Sequence, residues 1–378
     1  MQLKEAALYI HIPFCEHKCI YCDFYSVITK DNVQNYLDAL KKEIDHYATI
    51  YSEGRVFSSV FFGGGTPSLM DPGYIAEILK TLRSRFIISD DAEITLETNP
   101  GTVDREKLYE FLELGINRLS VGIQSFNDDE LKFLSRIHDR QTAIDTIRDA
   151  HSVGFNNINL DLIFNLPGQT KRKWLDNLET ALELPVKHIS AYSLILERGT
   201  VLNKLVLDGK VKLQDSDYDA GIYRVTIDFL KSHNFHQYEV SNFALNGYEC
   251  RHNNAYWQYR DYLSFGTAAH SFVNGKRWWN YSNISLYINK VNENDSAAAG
   301  FEELTGAQML TEYVMLAFRS SGLNVKALKE KFGDEWLNSS RDKLKSFQRR
   351  GLLVFDDGFI HLTDKGYALC DEILEKIL

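Results

Sequence analysis

Residues 7–22 read ALYIHIPFCEHKCIYC. An apolar run, Ala7–Ile12, is followed almost at once by Cys15, Cys19 and Cys22, in a chain of 378 residues that holds 5 cysteines. The run predicts a buried strand. The C-x3-C-x2-C spacing puts three thiols on the loop that leaves it, where they can converge on one centre. In a reducing compartment, clustered cysteines point to a metal or redox role rather than to disulfides. A structural zinc takes four protein ligands, and Cys250, Cys370, His11 or His17 could supply the fourth. A [4Fe–4S] cluster normally takes four cysteines, so three would leave one iron open for chemistry. Spacing alone leaves both readings standing.

Five more strand-like runs follow: Ser58–Gly64, Glu93–Thr98, Arg118–Ser125, Asn157–Phe164 and His188–Ile195. Between them lie amphipathic helical segments; in VQNYLDALKKEI, for example, Val33, Tyr36, Leu37, Leu40 and Ile44 share a face. Asp104 reads as an N-cap, and Gly115 and Gly154 as helix stops. Alternating strands and helices imply an α/β fold with a parallel sheet. Six units fit a partial (β/α)6 TIM-like barrel or an open doubly wound sheet. We expect the barrel over residues 1–200. In either architecture the loops after the strand ends build the site, and the unusual residues of this chain sit there.

The pattern changes after residue 200. A helix over about Asp217–Ser232 precedes a strand, YEVSNFAL, and the aromatic stretch ECRHNNAYW. Residues 201–304 are expected to form an α+β region covering the barrel mouth. Residues 305–378 read as a winged-helix-like unit ending in two strands around Asp356-Asp357-Gly358. This unit carries as many acidic as basic residues and the whole chain has a net charge of -10. No nucleic-acid partner is therefore expected. With 44% hydrophobic and 25% charged residues, the composition is that of a globular protein. Neither a secretion signal nor a membrane-length apolar run is evident, which makes the expected location cytoplasmic.

CEHKCIYC resembles the signature of the radical S-adenosylmethionine (radical SAM) family. The resemblance implies that Cys15, Cys19 and Cys22 hold a [4Fe–4S] cluster whose fourth iron takes S-adenosyl-L-methionine (SAM). FFGGGTPS follows the second strand. A glycine run there can bring backbone N–H groups to a ligand as an anion-binding nest. In the family this loop meets the methionine amino end, which assigns Gly64, Gly65 and Thr66 to the cofactor. The same resemblance assigns to it Tyr9, Glu97, Gln124, Arg136 and Asp161. Their chemistry agrees, because carboxylates and amides suit ribose hydroxyls and Arg suits a carboxylate. The bland reading is an internal salt-bridge network, since a charge in a strand needs a partner.

LYIHIPFC, GGGTPS, GIQSF, DLIFNLPGQT, YEVSNFA, HNNAYW and AAHS are together similar to the coproporphyrinogen-dehydrogenase-like subgroup. That subgroup holds oxygen-independent coproporphyrinogen III dehydrogenases, which carry out an oxidative decarboxylation, and heme chaperones. Three features favour the chaperones. Phe24 stands two after Cys22, where the dehydrogenases resemble C-x3-C-x2-C-x-C. The triad lies close to the start of the chain, without a longer leading segment. HNNAYW matches an HN-x2-YW motif, which implies a heme site at His252, Tyr256 and Trp257. A His can ligate heme iron and flat aromatics can cover a porphyrin face. The expected function is to bind heme and transfer it to apo-hemoproteins, respiratory membrane proteins among them. Two departures from the subgroup are Ser135 and Asn165, each standing where glycine is common. Cys250 and Cys370 read as small buried hydrophobes.

Overall fold

The computed structural model describes residues 3–29 and 31–378. Strands β1 (Lys4–Ile12), β2 (Arg55–Gly64), β3 (Ile88–Thr98), β4 (Arg118–Gln124), β5 (Asn157–Phe164) and β6 (His188–Ser193) lie side by side in chain order. All five pairings are parallel. The helices between them bury one apolar stripe against the sheet; Tyr36, Leu37, Leu40 and Ile44 are buried on the first, Val33–Tyr51. Side chains at the helix starts cap as the sequence predicts: Asp104 accepts the Lys107 N–H at 2.9 Å. Side chains from all six strands face one cavity, among them Tyr9, Phe61, Glu97, Ser120, Asp161 and Ser190. The sheet is thus curled into the expected partial barrel. Several strands begin earlier than apolar density foretells, because polar residues such as Lys4 and Arg55 join the ladder at the strand starts.

The barrel does not close, and the chain extends the sheet at both edges. Beyond β6 lie β8 (Asn242–Ala244) and then β7 (His236–Glu239). These come from the single strand expected in YEVSNFAL, which turns back on itself at Val240 and Ser241. Beyond β1 lies β9 (Asp261–Phe265), parallel to it. Then come β10 (His270–Val273), β11 (Lys276–Asn280) and β12 (Ala298–Glu303). Much of the stretch expected over the barrel mouth therefore widens the sheet. Its short helix Val201–Leu207 does touch the cysteine loop, through Leu202 N–H to Ile20 O at 2.9 Å. Its helix Arg251–Trp257 instead fills the opposite end of the barrel, where Arg251 reaches Asp91.

Residues 305–378 pack around a core of their own that includes Val314, Phe318, Leu344, Phe347 and Ile373. A three-stranded sheet, β13 (Leu323–Asn324), β14 (Leu353–Asp356) and β15 (Phe359–Leu362), carries the wing. The turn from β14 to β15 has φ 43 at Asp357 and 81 at Gly358, the left-handed pair that a tight hairpin demands. Arg319 O accepts the Val240 N–H at 2.9 Å and joins this unit to the barrel sheet.

Candidate cofactor site

The cysteine loop is pinned by backbone bonds on both flanks. Cys15 N–H donates to Val27 O at 2.9 Å, and Thr66 N–H donates to Phe14 O at 2.8 Å. Ile20 is held on both its backbone groups, its N–H by Ser135 Oγ at 3.1 Å and its carbonyl by Leu202. Cys15, Cys19 and Cys22 all line a cavity of about 540 Å³ at the C-terminal ends of the strands. All five cysteines are free thiols. Cys250 is fully buried and Cys370 nearly so, each outside this cavity.

Among the described residues no three His, Cys, Asp or Glu side chains converge tightly enough to hold a metal ion. That geometry does not match a compact zinc site. A four-iron cubane differs, because each thiolate binds a separate iron and the sulfurs need only face one space. Burial pushes the Cys22 thiol up to about 11, so a thiolate there needs a cationic centre beside it. Arg136 donates to Cys19 Sγ at 3.4 Å, and Thr66 Oγ1 lies 3.5 Å from Cys15 Sγ. Hydrogen bonds to ligating sulfurs are a standard means of tuning a cluster. The donor set fits an iron–sulfur cluster.

The polar residues assigned to SAM surround the same space. Arg136 Nη2 reaches Asn99 Oδ1 and Gly122 O, each at 2.6 Å. Its Nε is a buried donor without a partner, which leaves it available to a ligand acceptor. A side chain on Gly122 would come 2.8 Å from Asn99 Oδ1 and 3.0 Å from Gln124 Nε2. The bare backbone there lets Asn99, Gln124 and Arg136 gather around one point. Gln124 itself has a φ of 74, a strained conformation for a non-glycine.

Glu97 and Asp161 are the two partly buried strand carboxylates of the cavity wall. Burial pushes Glu97 up to about 8, the Asp161 charge adds to the rise, and the Gly64 N–H and Arg118 pull back. Asp161 is also raised by burial, opposed by hydrogen bonds from Asn159 and Ser190. Both can donate or accept toward hydroxyls. The internal salt-bridge reading does not describe them, since neither makes an ion pair among the described residues. Arg118, 1% exposed, faces the cavity between them and comes no nearer than 3.9 Å to Glu93. Its place at the head of β4 was the only sign of it in the sequence.

One expectation for the glycine loop is overturned. The N–H groups of Gly64, Gly65 and Thr66 are all spent on the protein, on Glu97 Oε2, Ile12 O and Phe14 O. They form no anion nest. What Gly64 and Gly65 bring to the cavity is backbone without side chains, which lets a ligand approach closely.

The proposed heme residues separate. His252 and Tyr256 line the cavity, whereas Trp257 faces a different cleft with Tyr223, Arg319 and Tyr367. Adjacent helix positions point about 100° apart, so Tyr256 and Trp257 cannot cover one porphyrin face. His252 is 2% exposed, with Nδ1 bonded to Ser59 Oγ at 3.0 Å and Nε2 to Tyr256 Oη at 2.9 Å. Both ring nitrogens are occupied. These residues do not fit an axial heme site.

Sequence comparisons agree with this geometry. The pattern of the radical SAM superfamily matches residues 9–181, and that of the HemN C-terminal domain matches residues 304–369. Heme chaperone HemW of Bacillus subtilis is 35% identical over 374 residues, 98% of each chain. A mitochondrial radical S-adenosyl methionine domain-containing protein 1 of Danio rerio is 34% identical over 99% of this chain and 87% of its own. Among solved structures, coproporphyrinogen III oxidase (HemN) of Escherichia coli, described as a radical SAM enzyme, superposes with a TM-score of 0.84. It is 25% identical over 100% of this chain and 91% of that one. With the thiol triad, the polar wall above it and this end-to-end similarity, the chain belongs to the radical SAM superfamily, in the HemW family of its coproporphyrinogen-dehydrogenase-like subgroup.

Proposed function

We propose that this protein is a heme chaperone that binds heme, a [4Fe–4S] cluster and SAM, and passes heme to apo-hemoproteins, respiratory membrane proteins among them. The observation that carries the reading is the near full-length similarity to a heme chaperone, joined to a thiol-lined cavity. Cys15, Cys19 and Cys22 would hold the cluster. Gly64, Gly65 and Thr66 would meet the methionine amino end, Arg136 its carboxylate, and Glu97, Gln124 and Asp161 the ribose and its neighbours. Tyr9 would flank the cluster loop. A cluster held by Cys15, Cys19 and Cys22 would, once reduced, supply one-electron chemistry toward a sulfur–carbon bond of SAM. The chain's own part is to orient both groups and keep water from them. At the mouth, Phe24 and Ile195 are 63% and 66% exposed, an apolar surface on which a porphyrin face could rest. No helix of the described residues is long and apolar enough to cross a membrane, and we place the working protein in the cytoplasm.

The fold shared with coproporphyrinogen III oxidase supports a second reading, a radical decarboxylase. Phe24, in place of the further cysteine expected of that enzyme, speaks against it. Heme titration of anaerobically reconstituted protein, with and without the cluster, followed by transfer to an apo-hemoprotein, tests the chaperone. A Soret band and recovered acceptor activity are expected. Multiple turnovers of coproporphyrinogen III to protoporphyrinogen would overturn it.

A further inference from the structure

We infer that His252 is a positioning residue of the SAM pocket and not the axial ligand of heme; the heme half of this inference rests on the chaperone reading above. An iron ligand needs a ring nitrogen with a free lone pair and room for the macrocycle along it. His252 has neither. Tyr256 Oη occupies the approach to Nε2, Ser59 Oγ occupies Nδ1, and the ring is 2% exposed. Heme could reach Nε2 only by displacing Tyr256 Oη and opening room around a ring that is stacked on Phe61.

Its contacts point instead along the barrel axis to the glycine loop. The imidazole stacks on Phe61 with centroids 4.9 Å apart and planes 27° apart, and Phe61 stacks on Tyr9 at 6.1 Å and 21°. Tyr9 also lies 6.2 Å from His252, closing a three-ring floor. Gly63 rests on that floor. A methyl added there would lie 2.9 Å from Phe61 Cε1, 3.0 Å from Tyr9 Cε2 and 3.2 Å from Glu97 Cδ. The next residue, Gly64, donates its N–H to Glu97 Oε2 at 3.0 Å. His252 therefore sets the height of Phe61 and Tyr9, and these set where Gly63, Gly64 and Glu97 stand against the cofactor. Burial and the Arg118 charge keep the ring neutral, pushing it down to about 3, so the floor holds at every working pH. Supporting residues of this kind govern affinity without touching the ligand.

The test uses full-length, cluster-loaded protein with His252→Gln and Tyr256→Phe. It reads SAM affinity from the perturbation of the reduced cluster's EPR signal, heme from the Soret band, and folding from circular dichroism. Positioning predicts that His252→Gln weakens SAM on the order of tenfold and leaves the Soret maximum and heme stoichiometry unchanged. Tyr256→Phe frees Nε2 and discriminates most sharply. If His252 were a ligand, that variant would bind heme more tightly with a shifted Soret band; positioning predicts an unchanged band and a weaker hold on SAM. A Soret band lost or moved in folded His252→Gln, or SAM affinity unchanged in both variants, overturns the assignment. If His252→Gln unfolds, Tyr256→Phe alone decides. Wild-type protein that takes up no heme would refute the chaperone reading and leave the SAM comparison to judge positioning by itself.

Discussion

Replacing Glu97 with Gln should flatten the pH dependence of folding stability in the cluster-free protein. Burial pushes the Glu97 carboxyl from an ordinary 4.5 up to about 8, helped by the Asp161 charge. Between those values the unfolded chain has lost the proton and the folded chain keeps it. Unfolding then releases one proton, and stability falls as pH rises, by about 1.4 kcal/mol per unit. From about pH 6 to about pH 7.5 this one group removes about 2 kcal/mol. Gln carries no titrating proton, so the variant should lack that part of the slope. Glu43 and Glu239, each pushed up to about 7 by burial, act in the same direction in both proteins and cancel in the difference. Urea unfolding of wild type and Glu97→Gln at the two pH values measures it. Equal pH slopes would refute the reasoning, for they would mean that Arg118 already holds Glu97 ionised in the folded state.

Gly65→Ala should hinder cluster assembly, because its methyl would stand 2.7 Å from Phe14 O and 2.9 Å from Ile12 O. Both obstacles are backbone leading into Cys15, so the loop must move, at a cost of about 1–3 kcal/mol; iron and sulfide per chain after reconstitution should fall. Ser135 has a φ of 55, and its hydroxyl accepts the Ile20 N–H and meets His17 Nε2 at 3.3 Å. Ser135→Ala keeps the strain and loses these bonds, while Ser135→Gly loses both. The alanine variant should be the less stable by about 1 kcal/mol, and both should lose cluster absorbance in air faster than wild type. Trp257→Ala should leave the Soret band and SAM affinity unchanged, since the indole faces the cleft beside Arg319 and Tyr367. It should instead quicken proteolysis between the barrel and the C-terminal unit.

The motifs near strand ends were legible because their chemistry is local. A C-x3-C-x2-C loop, a glycine run after a strand and a carboxylate inside LETNP each announce a role within a few residues. The HN-x2-YW motif was not legible in the same way. Its letters suit heme, yet a helix turns Tyr256 and Trp257 to different sides, and Ser59, 193 residues away in sequence, takes one His252 nitrogen. The glycine loop shows the same limit. Its composition permits an anion nest, but Glu97, Ile12 and Phe14 claim the N–H groups. Ser135 was visible only as a departure from glycine. Its bond to the loop of Ile20 spans 115 residues.

Read alone, the sequence determined the α/β alternation, the thiol triad at the first strand's end and the polar wall that follows it. Period, capping and spacing are properties of neighbouring residues. Tertiary structure decided that the sheet stays open and grows at both edges, that Arg118 faces the cavity, and that His252 is sealed beneath it. Those outcomes depend on which distant groups compete for each hydrogen bond and each face, and no local pattern records that competition.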